Sequence, residues 1–129
     1  QYLVQLRDNK KEIFHPLHWG LFGGGLEDSE SEKDCLKREI FEELSINIDT
    51  KQLQYFTKFT FDLSYRKLNT VIVSYFTFKI DGKIINNINL SEGIEFKFLT
   101  AMEFLNKRYI VPLDAMAIWL HYSKKRKFY

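Results

Sequence analysis

The sequence predicts an α/β fold in which helices cover both faces of a mixed β-sheet. Strand-like segments lie before and after a strongly patterned helix in the first half of the chain, and an amphipathic helical segment begins at Pro112. A sheet with helices both between and after its strands is expected to be covered on both faces. Composition alone leaves both α/β and α+β folds open.

Length and composition are those of one domain, spanning residues 1–129. The chain is 45% hydrophobic and 28% charged, which is enough to bury a sizeable core. The formal net charge of +2 is nearly balanced and gives no reason to expect a nucleic-acid or membrane partner. No apolar run approaches the ~18 residues that a membrane span needs.

The single cysteine, Cys35, excludes a disulfide within the chain and is typical of a reduced thiol in the cytoplasm. No signal peptide is visible, which agrees with a cytoplasmic protein. The oligomeric state stays open, and a homodimer is compatible with the sequence.

The chain begins with an alternating, strand-like segment over residues 1–7, with Leu3 and one or both of its neighbours directed inward. Asp8, Asn9 and Lys10 then indicate a turn. Residues 13–19 are predicted to form a loop or irregular strand that leads into a glycine triplet.

The central helix follows an acidic loop. Ser29 or Ser31 is expected to cap its start, because a serine followed by acidic residues suits a helix N-terminus. The helix is predicted to end near Leu44. Its apolar side, which should face the core, consists of Leu36, Ile40, Phe41 and Leu44.

Three strands rich in β-branched and aromatic residues are predicted next. They cover residues 53–58, 59–65 and 70–80. Residues 66–69 would join the last two as a hairpin, and a second turn is predicted at 81–83. Residues 84–90 are ambiguous.

The last part of the chain combines a strand with two helices. Residues 94–99 are predicted to form a short strand, and Thr100 to cap a short helix over 101–106. Pro112 begins the final helix, since proline is favoured in a first helical turn. The basic residues at 124–127 are expected to form a solvated tail.

Three glutamates, Glu39, Glu42 and Glu43, lie at i, i+3 and i+4 and therefore on one face of the central helix. Like charges at this spacing destabilise an isolated helix by roughly 0.2–0.5 kcal/mol per pair. Mg²⁺ or Mn²⁺ would compensate them, because these cations prefer carboxylate oxygens. The alternative is a solvated acidic face. The upstream glycines favour the metal site, because backbone without side chains can approach a metal or phosphate closely.

This stretch resembles the signature box of the Nudix hydrolases, whose pattern is G-x5-E-x7-R-E-U-x-E-E-x-G-U, with U a bulky aliphatic residue. Residues 24–46 fill every specified position but one. The matching residues are Gly24, Glu30, Arg38, Glu39, Ile40, Glu42, Glu43 and Ile46. Ser45 replaces the second glycine, at a position that often needs a left-handed backbone. This departure should affect local stability rather than chemistry.

The resemblance implies an α/β/α sandwich, with one more strand before the present start of the chain. It also implies that Glu39, Glu42, Glu43 and the backbone carbonyl of Gly24 hold Mg²⁺ or Mn²⁺. Glu42 and Glu43 are candidate catalytic residues as well. The general base stays open between Glu43 and Glu92, because the family does not use the same base throughout.

Arg38 points away from the acidic face when residues are placed at ~100° per step. We expect it to pair with Glu30 or Glu27 and to hold the loop against the helix. The alternative is a surface ion pair of little energetic value.

Residues 13–19 border the substrate pocket if the resemblance holds. Phe14 or Trp19 could therefore stack on a nucleobase, an interaction of ~1–3 kcal/mol. The alternative is that these aromatic side chains belong to the core.

In the family a further glutamate often reaches the metal site from a late loop, and Glu92 is the preferred candidate. It precedes Gly93, which would let the loop move as substrate binds. Glu95 is the competitor. It alternates with Phe96 and Phe98, which should face the core and turn Glu95 to solvent. The alternative for Glu92 is a carboxylate that only solvates the turn.

The resemblance implies a metal-dependent hydrolase that cleaves the phosphoanhydride bond of a nucleoside diphosphate linked to another group. The alternative is a non-catalytic module on the same fold that binds a nucleotide or a protein. Such modules usually lack glutamates of the box, whereas this chain retains them. Marker residues of ADP-ribose and NADH pyrophosphatases are absent, which leaves nucleoside triphosphates, including oxidised ones, and nucleotide sugars as candidate substrates.

Overall fold

The computed structural model of the chain describes residues 1–126, with the exception of the Arg66 side chain. The strands are Tyr2–Leu6 (β1), Trp19–Gly20 (β2), Gln54–Phe61 (β3), Val71–Thr77 (β4) and Glu95–Leu99 (β5). The helices are Glu32–Leu44 (α1), Gly82–Ile85 (α2), Ala101–Leu105 (α3) and Pro112–Arg126 (α4). Short 3-10 turns cover Thr50–Gln52 and Ser64–Arg66.

The strands form two antiparallel units. β1 lies at the centre of a three-stranded sheet in the order β2-β1-β5, and β3 pairs with β4 in a separate hairpin. A parallel bridge between Trp19 and Ile110 makes the strand pairing mixed.

Alternating side chains of β1 serve two cores, one on each face of the sheet. Val4 is fully buried and packs with Phe104 of α3 and Ile118 of α4. Leu3 points to the other face, where it packs with Leu44 of α1. Fully burying a side chain such as Phe104 stabilises the fold by about 1.5–3 kcal/mol. The sheet therefore lies between α1 on one side and α3 with α4 on the other, which confirms the α/β fold.

The ends of α1 lie where the sequence places them. The side-chain oxygen of Ser31 accepts a hydrogen bond from the backbone N–H of Asp34, so Ser31 and not Ser29 is the cap. The helix ends at Leu44, and Ser45 has a left-handed backbone with φ 57° and ψ 27°. Phe41 was predicted to face the core, but 57% of it is exposed, so this prediction is wrong.

The middle of the chain departs from the predicted strand boundaries. Residues 54–61 form one continuous strand where two had been predicted, because no turn-forming residue interrupts them. The register against β4 shifts between Tyr55 and Thr57, and this irregularity stands in place of the predicted break. The turn predicted at 81–83 is instead the start of α2, since the Asp81 side chain accepts a hydrogen bond from the N–H of Ile84.

The last helices agree with the sequence. Thr100 and Glu103 form a reciprocal capping box at the start of α3, and α4 begins at Pro112. The basic residues 124–126 belong to the last turn of α4, while Lys127 lies outside the described residues. No helix within residues 1–126 has the length and apolar character to cross a membrane.

The left-handed backbone at Ser45 generates a stability prediction. Ser45→Gly should raise the free energy of unfolding by up to ~1 kcal/mol, because glycine adopts this conformation without steric cost. Lys37→Gly, at an exposed position within α1, is the control and should lower it by about 1 kcal/mol. Urea unfolding of both variants measures the two changes. A destabilised Ser45→Gly protein would show that the helix end depends on the serine.

Candidate active site

The glycine loop, residues 21–25, lies directly on the acidic face of α1. A methyl group added at Gly24 would overlap the carboxylate of Glu39, so only glycine permits this contact. The backbone N–H of Gly23 donates to Oε2 of Glu43 at 3.0 Å. Gly23 has φ 142°, a conformation that side-chain-bearing residues rarely adopt. The loop and the helix therefore meet at two of the three glutamates.

Arg38 joins the loop to the helix. Its Nε donates to Glu30 Oε1 at 2.9 Å and its Nη2 to Glu30 Oε2 at 3.0 Å, and Nη2 also reaches the carbonyl of Gly25. The hydrogen bonds from Arg38 hold the pKa of the Glu30 carboxyl low, at about 2. The expected ion pair with Glu30 is thus present, while Glu27 lies farther away at 3.9 Å.

Arg38 also contacts the acidic face, so the prediction that it points away from that face is wrong. Its Nη1 donates to Glu39 Oε1 at 2.7 Å and to Glu42 Oε2 at 3.3 Å. The angular count fixes the Cα position, but the long side chain carries the guanidinium to the neighbouring glutamates. Arg38 therefore supplies a counter-charge that the sequence argument assigned to a metal ion.

Glu43 differs from the other two glutamates because it is buried. Only 5% of the residue is exposed, and its Oε1 accepts a hydrogen bond from Gln5 Nε2 at 3.1 Å. Burial raises the pKa of the Glu43 carboxyl to about 7, although the hydrogen bonds from Gln5 and Gly23 act in the opposite direction. A carboxyl with a pKa near neutrality suits a general base.

The segment that carries Glu92 is attached to the end of α1. The N–H of Ser91 donates to the carbonyl of Glu43 at 2.8 Å, and the N–H of Asn89 to that of Leu44 at 3.0 Å. Gly93 has φ 86°, and a methyl group there would come within 2.6 Å of Gln5 Oε1. Glycine is needed for this close approach, and the backbone is held on both sides. The predicted loop movement at Gly93 thus has no support here, and the Glu92 side chain is exposed beside the helix end.

Glu95 lies on the other face of the sheet. It pairs across the strands with Leu6, whereas Gln5 pairs with Phe96, so Glu95 and Gln5 face opposite ways. Glu95 forms an ion pair with Lys97 at 3.3 Å and is half-buried. The expectation that it faces away from Phe96 is confirmed, although an ion pair replaces full solvation.

The two aromatic candidates for nucleobase stacking have different environments. Phe14 is 75% exposed at the surface. Trp19 is 8% exposed and packs in the core with Val4, which corrects the proposal that it stacks on a base. The ammonium groups of Lys97 and Lys107 lie 5.1 and 5.0 Å from the centroid of the Trp19 ring and make cation–π contacts with it.

Sequence reasoning missed Gln5 and Asp114. The Asp114 carboxylate accepts hydrogen bonds from the N–H of Leu21 and the hydroxyl of Tyr75, both at 2.8 Å, and so fixes the start of the glycine loop to α4 and β4. Burial raises the pKa of the Asp114 carboxyl. An acidic residue two positions after Pro112 is common in a first helical turn, so Asp114 did not stand out in the sequence. Gln5 could have been noticed only as a single amide in an apolar strand.

The donor set fits a hard divalent cation by its chemistry. Carboxylates of Glu39, Glu42 and Glu43 and the carbonyl of Gly24 are all oxygen donors, and the Gly24 backbone lies directly against the Glu39 carboxylate. Within residues 1–126, however, no group of three or more acidic, histidine or cysteine side chains converges on one metal position. In this structure Arg38 donates to Glu39 and Glu42, while Gln5 and Gly23 donate to Glu43.

Comparison with known proteins identifies the family. The profile of the NUDIX domain matches residues 1–120. No curated protein matches the chain. The structure is similar to that of the MutT protein from Methanosarcina mazei Go1, with a TM-score of 0.72 and 21% identity over 97% of this chain and 84% of that one.

Two further solved structures share the fold. The E. coli dihydroneopterin triphosphate pyrophosphohydrolase has a TM-score of 0.60 and 18% identity over 92% of this chain and 82% of that one. The C. elegans Ap4A hydrolase has a TM-score of 0.64 and 16% identity over 97% of this chain and 85% of that one.

Proposed function

Because the chain belongs to the Nudix family, we propose that it is a metal-dependent hydrolase that cleaves the phosphoanhydride bond of a nucleoside diphosphate linked to another group. The observation that carries this proposal is the contact of Gly23 and Gly24 with Glu43 and Glu39. This contact places a glycine backbone, which can approach a diphosphate closely, beside a set of carboxylate ligands.

The substrate class is proposed as nucleoside triphosphates, oxidised nucleotides or nucleotide sugars. The names of the similar E. coli and C. elegans proteins, a triphosphate pyrophosphohydrolase and an Ap4A hydrolase, support a phosphorylated small molecule. Of the two stacking candidates, Phe14 is the one whose ring is exposed. A cytoplasmic location agrees with the single buried thiol of Cys35.

We assign the metal site to Glu39, Glu42, Glu43 and the carbonyl of Gly24. Bound Mg²⁺ or Mn²⁺ supplies charge neutralisation at the diphosphate and lowers the pKa of a bound water. Glu39 and Glu42 would hold the metal ion only if Arg38 released them, and Arg38 would then keep its two hydrogen bonds to Glu30. The role of Arg38 and Glu30 is then to hold the loop in place during the exchange.

In the proposed reaction the oxygen of a water molecule forms a bond to one phosphorus, and the bond from that phosphorus to the bridging oxygen breaks. A carboxylate accepts the proton that the water loses. Glu43 and Glu92 are the candidates for this base. Burial away from bulk water favours Glu43, whereas exposure gives Glu92 freedom to reach the substrate.

The alternative is a non-catalytic module on the same fold that binds a nucleotide or a protein. The contacts of Arg38 with Glu39 and Glu42 favour this alternative, because a permanent ion pair would neutralise the acidic face without a metal.

The two functions are distinguished by a substrate screen. We expect the purified protein to hydrolyse one or more nucleotides of the proposed classes with Mg²⁺ or Mn²⁺, and to lose all turnover in excess chelator. Glu42→Gln and Glu43→Gln should each lower kcat by at least ~10²-fold, the scale of one lost electrostatic or proton-transfer contribution.

Glu12→Gln, at an exposed position in the turn before β2, is the matched control and should keep wild-type kcat. Turnover that persists in excess chelator would exclude the metal site. Binding of nucleotide without turnover would favour the binding module.

The glycine loop provides a matched pair of alanine variants. Gly24→Ala should lower kcat at least tenfold, because the new methyl group displaces the Glu39 carboxylate. Gly25→Ala should have little effect, since a methyl group there meets no atom within 4 Å. Steady-state turnover at saturating Mg²⁺ gives kcat for both variants. Equal kcat values would show that the contact between Gly24 and Glu39 is not needed for the reaction.

Glu92 and Glu95 form a second pair. Glu92→Gln should lower kcat by one to three orders of magnitude if Glu92 is a ligand or base. Glu95→Gln should have little effect, because Glu95 faces the other side of the sheet and pairs with Lys97. Assays at saturating substrate and metal measure both. The reverse ranking would contradict the assignment.

A further inference from the structure

Gln5 is a buried amide in a strand that is otherwise apolar or aromatic. Tyr2, Leu3, Val4 and Leu6 are the other members of β1, and Gln5 is only 3% exposed. An amide that leaves water must find hydrogen-bond partners inside the protein, because unpaired burial is unfavourable. The partners of Gln5 therefore indicate why an amide stands at this position.

Both acceptors near the amide nitrogen of Gln5 belong to the candidate site. Nε2 lies 3.1 Å from Oε1 of Glu43 and 3.5 Å from the carbonyl oxygen of Leu21, at the start of the glycine loop. A backbone carbonyl and an ionised carboxylate only accept hydrogen bonds, so in that state they fix which end of the amide faces them. The oxygen end lies toward Gly93, where a methyl group would come within 2.6 Å of it.

The position of Gln5 is itself over-determined. Its backbone is in the central strand of the sheet, between β2 and β5, and pairs with Gly20 and Phe96. Gly93 packs against the amide, and the N–H of the next residue, Ile94, donates to the carbonyl of Leu6 at 2.8 Å. A side chain held in this way can transmit the rigidity of the sheet to whatever it binds.

From this geometry we propose that Gln5 is a positioning residue for Glu43, whose carboxylate it holds in a single orientation at the end of α1. Gln5 donates to Oε1, and Gly23 donates to Oε2. A carboxylate has about two acceptor directions on each oxygen, so each oxygen of Glu43 keeps one direction that these two hydrogen bonds do not use. The carboxylate cannot rotate without losing both hydrogen bonds.

This inference rests on the proposed function, in which Glu43 is a ligand or the base. Groups that orient a ligand from behind typically change metal affinity or activity about 10–100-fold when they are removed. A side chain that only fills the core would change the stability of the protein and leave these quantities unaltered. The two roles of Gln5 can therefore be separated by measurement.

The test compares variants of neighbouring residues in β1. Gln5→Met keeps the length of the side chain but removes the donor, and Gln5→Glu keeps the shape and the oxygen. Val4→Ala is the control, because Val4 is fully buried on the opposite face and has no contact with Glu43. For each protein we would measure kcat and KM, the Mn²⁺ dissociation constant by electron paramagnetic resonance, and urea unfolding.

We expect both Gln5 variants to lower kcat about 10–100-fold and to weaken Mn²⁺ binding about tenfold or more. KM for the nucleotide should change less than about threefold, because Gln5 is only 3% exposed and acts through Glu43. Val4→Ala should be less stable than the wild type and keep its kcat and Mn²⁺ affinity. Using two Gln5 variants guards against one of them failing to fold.

The inference is overturned if a folded Gln5 variant retains wild-type kcat and Mn²⁺ affinity. It is also overturned if Val4→Ala, with the same loss of stability as a Gln5 variant, shows an equally large decrease in kcat and in Mn²⁺ affinity. Either result, with an active wild type, leaves the proposed function standing. A wild-type protein that neither binds Mn²⁺ nor hydrolyses a nucleotide overturns the proposed function and this inference together.

Discussion

The buried carboxylate of Glu43 is the constraint on which the arrangement around it depends. A carboxylate that is 5% exposed requires hydrogen bonds from its surroundings, and it receives them from Gln5 in β1 and from Gly23 in the glycine loop. The backbone carbonyl of Glu43 accepts a hydrogen bond from the N–H of Ser91. One residue thereby ties α1 to the central strand, to the glycine loop and to the segment that carries Glu92.

A second set of contacts balances the charges that remain on the surface of α1. Arg38 pairs with Glu30 in the loop and with Glu39 and Glu42 on the helix, and the carboxylate of Glu27 lies 3.9 Å from it, so one guanidinium serves four carboxylates. These ion pairs lower the repulsion between neighbouring glutamates, and they also compete with any metal ion for the same oxygens. A metal ion held by Glu39 and Glu42 would therefore require Arg38 to keep Glu30 and give up these two carboxylates.

The start of the glycine loop is held by α4, on the other side of the sheet. Asp114, near the start of α4, accepts hydrogen bonds from Leu21 and from Tyr75 of β4. A methyl group at Gly20, the last residue of β2, would come within 2.8 Å of the Asp114 carboxylate, so the chain that enters the loop passes close to α4. The loop is consequently anchored at Asp114 on one side of the sheet and at Glu43 on the other.

The sequence by itself determined the features that depend on neighbours within a turn of helix or strand. The common face of Glu39, Glu42 and Glu43, the end of α1 at a left-handed Ser45, and the Thr100 cap all follow from local spacing and capping chemistry. The tertiary structure alone decided the contacts of Arg38 with Glu39 and Glu42 and the burial of Trp19. It also decided the pairing of Gln5 with Glu43, which lie 38 positions apart. Periodicity reports which side chains share a face, but packing brings distant segments together and so decides what that face meets.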